Sequence, residues 1–164
     1  MNLIIATTPS GGIGYNNKLP WKSLEGDLKR FKDITTNKIV IMGSNTCKSL
    51  NEKPLPNRTN IVVSTKPHES NESTIFVQSI PQLLEIIKAF NQTDVFVIGG
   101  SSLINQLKDY IKVIYLTTST HEYEYDTSID LTHINLNYFP IFSSQHQDHS
   151  FQILIKKTVF NLNT

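Results

Sequence analysis

Short apolar runs alternating with helical patterns constrain this chain more than any other feature. "NLIIATT", "KIVIMG", "TNIVVST", "STIFVQS" and "DVFVIGG" concentrate Val, Ile, Leu, Met and Phe without polar alternation, so each is predicted to be a strand buried on both faces. Between them lie segments with helical spacing: one from Ser23, a short one over "SNTCKSL", one over "IPQLLEIIKAF" and one over "SSLINQL". In "IPQLLEIIKAF", Pro81 suits the first helical turn and Leu83, Leu84, Ile87 and Phe90 share a face. Strand and helix in alternation imply an α/β three-layer sandwich: a central, mainly parallel sheet with helices on both faces. "VIYLTTST" and "FQILIKKTVF" are late strands with no helix predicted between them, and they supply an antiparallel C-terminal edge.

A chain of 164 residues holds one well-buried core and is short for two, so residues 1–164 are expected to form a single domain. Two irregular stretches, "PSGGIGYNNKLPWK" and "HEYEYDTSIDLTHINLNYFPIFSSQHQDH", have the length of lids or binding loops. Fifteen basic residues against fourteen acidic give a net charge of +1, which supplies no field for nucleic acid or an anionic membrane. Small-molecule ligands are therefore expected. Cys47, the only cysteine, cannot form an intramolecular disulfide. "MNLIIATTPSGG" lacks a signal-peptide pattern and no apolar run approaches membrane-spanning length, so a reducing, cytoplasmic setting is expected.

In "LPWKSLEGDLKRF" a helix drawn from Ser23 puts Leu24, Asp27, Leu28, Phe31 and Ile34 on one face, with Glu25, Lys29, Arg30, Lys32 and Asp33 opposite. Asp27 thus lies on an apolar stripe, where an ionised carboxylate must find donors. Two readings stay open for it: a functional acid, or a carboxylate placed near a Ser23 cap by the helix dipole. "IVIMGSNT" and "VFVIGGSS" each run from strand through glycine to small hydroxyl residues at a helix start. Gly43, Gly99 and Gly100 would let a ligand approach backbone there, and two such turns on one sheet suggest a dinucleotide. Neither G-x-G-x-x-G nor G-x-x-x-x-G-K-[ST] is present. "HQDH" at His146 to His149 looks like a metal pair, but no H-E-x-x-H or CxxC pattern accompanies it, so it reads as a solvated loop and no metal is expected.

Taken in order, "GGIGYNNKLPW", "GDLKRFKDIT", "NKIVIMGSNT", "KPLPNRTNIVVST", "VFVIGGSSL", "IYLTT" and "YDTSID" closely resemble dihydrofolate reductases, and the match spans nearly the whole chain. The resemblance implies hydride transfer from NADPH to the imine carbon of dihydrofolate, with a proton added to the adjacent nitrogen. Asp27 matches the family's one buried acid, which orients the pterin and promotes that protonation; Thr117 matches the threonine supporting it. Trp21 would pack nearby, and Leu19 matches an apolar lid position. Ile4, Ile5, Leu28, Phe31, Leu50 and Leu55 match the apolar walls around the substrate's rings; Arg58, with Lys32 assisting, matches the arginine that grips the glutamate tail.

On the cofactor side the matching positions are Ala6, Ile13, Gly14, Gly43, Ser44, Asn45, Thr46, Ile98, Gly99, Gly100, Ser101 and Ser102, with a cis Gly99–Gly100 peptide implied. Ser44, Thr65 and Gln78 depart from the residues commonly found around the 2′-phosphate of NADPH; Ser64, Thr65, Lys66 and Lys48 are the expected substitutes. Dihydrofolate and antifolates are the implied ligands, for a monomer with no obligate protein partner. The competing readings are a pyrimidinone-type reductase on the same fold and a folate-binding protein without turnover.

Overall fold

The computed structural model describes residues 1–157. In chain order its elements are β1 (Asn2–Thr7), β2 (Gly12–Gly14), α1 (Asp27–Thr35), β3 (Ile39–Gly43), α2 (Ser44–Ser49), β4 (Thr59–Val63), β5 (Thr74–Val77), α3 (Ile80–Ile87), β6 (Val95–Gly99), α4 (Ser101–Leu107), β7 (Val113–Ser119), β8 (Thr127–Ser128), α5 (Leu131–Asn137), β9 (Tyr138–Gln145) and β10 (His149–Lys156). Eight strands form one sheet in the order β5-β4-β3-β6-β1-β7-β10-β9, and β2 pairs with β8 as a separate ribbon. From β5 to β7 every neighbour is parallel; β10 then runs antiparallel to both β7 and β9. The expected sandwich with an antiparallel edge is what the chain forms.

Period-two geometry divides the apolar strand residues between the two faces. Leu3, Ile41, Ile61, Val77, Val97, Ile114 and Leu154 point into the larger core, which α3, α4 and α5 close with Leu83, Leu103, Leu107 and Ile134. Val40, Met42 and Val62 point the other way, into a smaller cluster with Cys47, Leu50, Leu55, Phe76 and Ile98. A fully buried Leu or Ile contributes about 1.5–3 kcal/mol, so the larger cluster holds the fold and the thinner face is left to host a site. The helix α1 lies on that thinner face, against β7 and β10.

Three expectations need correction. The helix expected from Ser23 starts at Asp27: Gly26 stands before it at φ 80°, ψ −6°, a left-handed conformation suited to glycine that turns the chain before the helix begins. The two stretches expected to be irregular hold elements of their own: β2 in the first, and β8, α5 and β9 in the second. Asp130 caps α5 by accepting the amides of Thr132 and His133, and Pro140 sits in β9, an edge strand where a missing N–H is tolerated. Finally, β10 begins two residues before "FQILIKKTVF", at His149, while the last three residues of that segment lie outside the described residues.

Candidate active site

Asp27 is the first residue of α1, where unpaired amides and the helix dipole favour a carboxylate. Its side chain is 13% exposed, so the acid is mostly buried rather than sealed off. Thr117, buried on β7 opposite Ala6 of β1, donates its hydroxyl to Asp27 Oδ1 at 2.7 Å. The Arg30 guanidinium, one turn along the helix, lies 3.8 Å from the same oxygen. Both contacts fall on Oδ1, and Oδ2 has no hydrogen bond among the described residues. Trp21 is buried ahead of the helix, edge-on to Tyr123 at 6.0 Å. Leu19 is exposed just past the Tyr15–Lys18 bridge.

The buried arc of α1 runs through Asp27, Arg30, Phe31, Ile34 and Thr35, not through Leu24 and Leu28. Leu24 precedes the helix and Leu28 is 66% exposed, so neither belongs to the face that sequence spacing assigned them. Arg30, expected on the solvent side, is 19% exposed and packed inward. Ile4 is buried; Ile5, Phe31, Leu50 and Leu55 are half-buried, and Lys32 is exposed.

Arg58 is fixed from behind. Its Nε–H donates to Thr35 Oγ1 at 2.9 Å, one terminal nitrogen to the Pro56 carbonyl at 2.7 Å and the other to the Lys32 carbonyl at 3.5 Å. Three of a guanidinium's five N–H donors are thereby engaged, which leaves one on each terminal nitrogen, the pair a carboxylate accepts side by side. Burial lowers the Arg58 pKa from the usual arginine value.

At the carboxyl ends of β3 and β6, Gly99 and Gly100 meet Thr46, and Gly43 lies beside Gly100. The Gly99–Gly100 peptide is cis. A Cβ on Gly99 would stand 3.3 Å from Thr46 Oγ1 and one on Gly100 3.5 Å from it, while a Cβ on Gly43 would lie 3.6 Å from the Gly100 amide nitrogen. Glycine thus lets the ends of β3 and β6 and the Thr46 hydroxyl pack closely together, with main chain rather than side chains at the strand ends. Gly43 and Gly100 are also the residues that begin α2 and α4, and neither start has a side-chain cap. Ala6, Ile13, Gly14, Ser44, Thr46 and Ile98 are half-buried, and Asn45 is exposed in the first turn of α2. Ser64 is buried with its hydroxyl accepting the Lys66 amide at 3.2 Å; Thr65, Lys66, Lys48 and Gln78 are exposed. Ser101 and Ser102 line a separate cavity of about 370 Å³ on the larger-core face, with Asp130, His133 and Tyr138.

A family model for dihydrofolate reductase matches residues 1–161. The chain belongs to the dihydrofolate reductase family. It is 36% identical over 163 residues to dihydrofolate reductase type 8 of Escherichia coli, with 96% of each chain covered. It is 38% identical over 126 residues to dihydrofolate reductase of Bacillus subtilis (strain 168), covering 77% of this chain and 73% of that one. Its 39% identity over 145 residues to the bifunctional dihydrofolate reductase-thymidylate synthase of Paramecium tetraurelia covers 86% of this chain and 29% of that longer protein. Its fold matches that of dihydrofolate reductase from Enterococcus faecalis complexed with NADP(H) and RAB-propyl, with a TM-score of 0.79, 26% identity and 95% of both chains covered. As a dihydrofolate reductase the chain is an NADPH-dependent oxidoreductase.

In this dihydrofolate reductase the glycine-rich stretch "GGIG" is tied to a segment more than a hundred residues away. Gly12 and Gly14 pair with Ser128 and Thr127, and the Asn16 amide donates to Asp126 Oδ2 at 2.8 Å. The Ser10 hydroxyl donates to Glu122 Oε1 at 2.5 Å. A Cβ on Gly12 would come within 2.3 Å of the Tyr125 ring, so only glycine allows this approach. The Asn16 amide, then the Thr127 hydroxyl, holds the Asp126 carboxyl below its usual range. Hydrogen bonds from Ser10, then Thr8, do the same for Glu122.

In "HQDH" His146 and Gln147 lie in an exposed turn, as expected, but His149 does not. His149 is 0% exposed at the start of β10, with Nδ1 2.6 Å from Asp148 Oδ1 and Nε2 3.2 Å from both terminal nitrogens of Arg30. His146 stacks on His149 at 4.5 Å. Among the described residues no group of three or more His, Cys, Asp or Glu is placed to hold a metal ion. Sequence reasoning missed Arg30, Tyr123, Asp126, Asp148 and His149. The signal for Arg30 was its place three residues after Asp27, a spacing at which helical side chains meet.

Proposed function

We propose that Asp27 anchors the pterin of dihydrofolate and promotes protonation of its imine nitrogen. The observation that carries this is a mostly buried carboxylate held on one oxygen by Thr117 and Arg30, which leaves the other oxygen to accept the pterin's amino and ring N–H groups. NADPH, when bound, supplies the hydride taken by the imine carbon; the adjacent nitrogen takes a proton, and the products are tetrahydrofolate and NADP⁺. Asp27 orients the ring and raises the imine's tendency to hold that proton, which reaches it from water, so the acid works chiefly by placement and charge.

Phe31, Ile5, Leu50 and Leu55 supply the apolar walls for the substrate's rings. Arg58, pre-oriented by Thr35 and two carbonyls, presents its two remaining N–H groups to the glutamate tail, with Lys32 adding charge. Gly43, Thr46, Gly99 and Gly100 form the cradle for the cofactor's backbone-hugging portion, and Ser64, Thr65 and Lys66 sit at the end of β4 to receive the 2′-phosphate. Leu19 and Trp21 close the site from the lid side. Residues 1–164 act as one monomeric catalytic unit in the cytoplasm, with dihydrofolate and antifolates as its ligands.

The test is the loss of NADPH absorbance on adding dihydrofolate. Asp27→Asn is expected to lower kcat/KM by about 10²-fold or more at pH 7, and by less in acid, where solution protonation of the substrate partly replaces the carboxylate's help. Undiminished turnover by D27N at neutral pH would overturn the role given to the acid.

A further inference from the structure

We propose that Arg30 is a positioning residue for Asp27 and that the buried His149–Asp148 pair holds it in place. The inference rests on the role given to Asp27 above. Arg30 is fixed on three sides. Its terminal nitrogens share His149 Nε2 at 3.2 Å each, one of them also meets His146 Nε2 at 3.2 Å, and its Cζ stands 4.3 Å from the centroid of the Phe151 ring. The open side of the guanidinium lies 3.8 Å from Asp27 Oδ1, with both side chains mostly withdrawn from water. Screening is weak in such a place, so the counter-charge acts on the carboxylate far more strongly than an exposed pair would.

A guanidinium has donors only, so the nitrogen that receives it must carry a lone pair. That assigns His149 as the neutral tautomer with hydrogen on Nδ1, donating to Asp148 Oδ1 at 2.6 Å. Asp148 in turn accepts the Glu25 amide on Oδ2 at 2.9 Å, which ties the same cluster to the turn leading into α1. Asp148 therefore accepts from both Glu25 and His149, His149 accepts from Arg30, and the same guanidinium faces Asp27, so Arg30 is tethered from behind while its charge stands beside the acid. The charged or titratable groups set against Arg30 are Asp27 on its own helix and His146, Asp148 and His149 around the β9–β10 turn; β7 and β10 add Thr117 and Phe151, which do not titrate. Thr117 fixes where Oδ1 points, and Arg30 stands beside the same oxygen as its counter-charge.

The experiment is a double-mutant cycle on the full chain, with pH profiles of kcat/KM for wild type, R30Q, R30K, D27N and R30Q/D27N, and folding checked by thermal melting. R30Q is expected to lose about tenfold in kcat/KM at pH 7, mainly in kcat with KM little changed. R30K keeps the charge without the planar fork, so it should recover part of that loss. In the D27N background R30Q should cost almost nothing more, because its effect passes through the missing carboxylate. A folded R30Q whose pH profile superimposes on wild type overturns the proposal, as does full additivity with D27N. If R30Q fails to fold, R30K decides: a loss in kcat that vanishes in the D27N background supports the proposal, and an unchanged kcat or a loss that persists there overturns it. Wild-type-like D27N would instead sink the reading of Asp27 itself, so the two failures are distinguishable.

Discussion

The hydroxyl of Tyr138 donates to the Ile111 carbonyl at 2.9 Å inside the larger core. Burial first, then the charge of Asp109, pushes its ionisation up to about 12 from 10. Between those values the folded chain keeps a proton that the unfolded chain has released, so stability is unaffected below about pH 10 and declines as pH rises toward 12. Tyr138→Phe is expected to cost about 1 kcal/mol in urea unfolding at pH 7 and to flatten the alkaline decline, with turnover unchanged. At this scale the sequence was informative wherever a residue's role depends on its own segment. Asp27 and the paired glycines stood out because an acid among apolar neighbours and glycine after a strand are local signals, whereas Thr117 reads on its own as an ordinary strand threonine and gained a role only through the resemblance. Arg30 and His149 were not legible, because a residue 119 positions away decides that each is buried. Leu24 was assigned to a helix it precedes, which rotated the predicted face away from Arg30.

Among the elements, α1 shows how one glycine sets the site. Gly26 adopts φ 80° with nothing within 4 Å of where a Cβ would stand, so Gly26→Ala meets no clash and bears only the cost of a left-handed backbone. The variant should lose about 1–2 kcal/mol, read as a lowered melting temperature, and kcat should fall further than stability explains because Asp27 is the next residue. The β2–β8 ribbon is the other element that bears on the site. Its Asp126 anchor has a lowered pKa, so its contribution is present above the ordinary carboxylate range and is lost only as pH falls through that lowered value. Strands β1 and β3 to β7 and helices α2 to α4 were readable from composition and period, whereas β2 falls in a stretch expected to be irregular. The elements α5 and β9 were not: Ile134 alone is buried in α5, and the edge strand β9 leaves Ile141 and Phe142 largely exposed, so neither carries the apolar pattern that announces an element.

Across the whole molecule the two faces of the sheet are unequal. The face under α3, α4 and α5 carries the extended core, while the α1 and α2 side buries a small cluster flanked by half-exposed apolar residues. Ligands on that side would add contacts the protein itself lacks. NADPH at about a hundred times its Kd is expected to add about 2.7 kcal/mol to the unfolding free energy, read as a rise in melting temperature that disappears on dialysis.

The bond between Asp27 and Thr117 joins residues 90 apart, and that between Asn16 and Asp126 joins residues 110 apart. During synthesis the chain reaches Asp27 long before either partner exists. Most of the parallel strands precede both partners in the chain, so the acid and the lid gain their supports only with β7 and the segment through residue 128, and Arg30's partners follow later still, through Phe151. A chain cut short before β10 therefore lacks both the antiparallel edge of the sheet and the groups that hold Arg30.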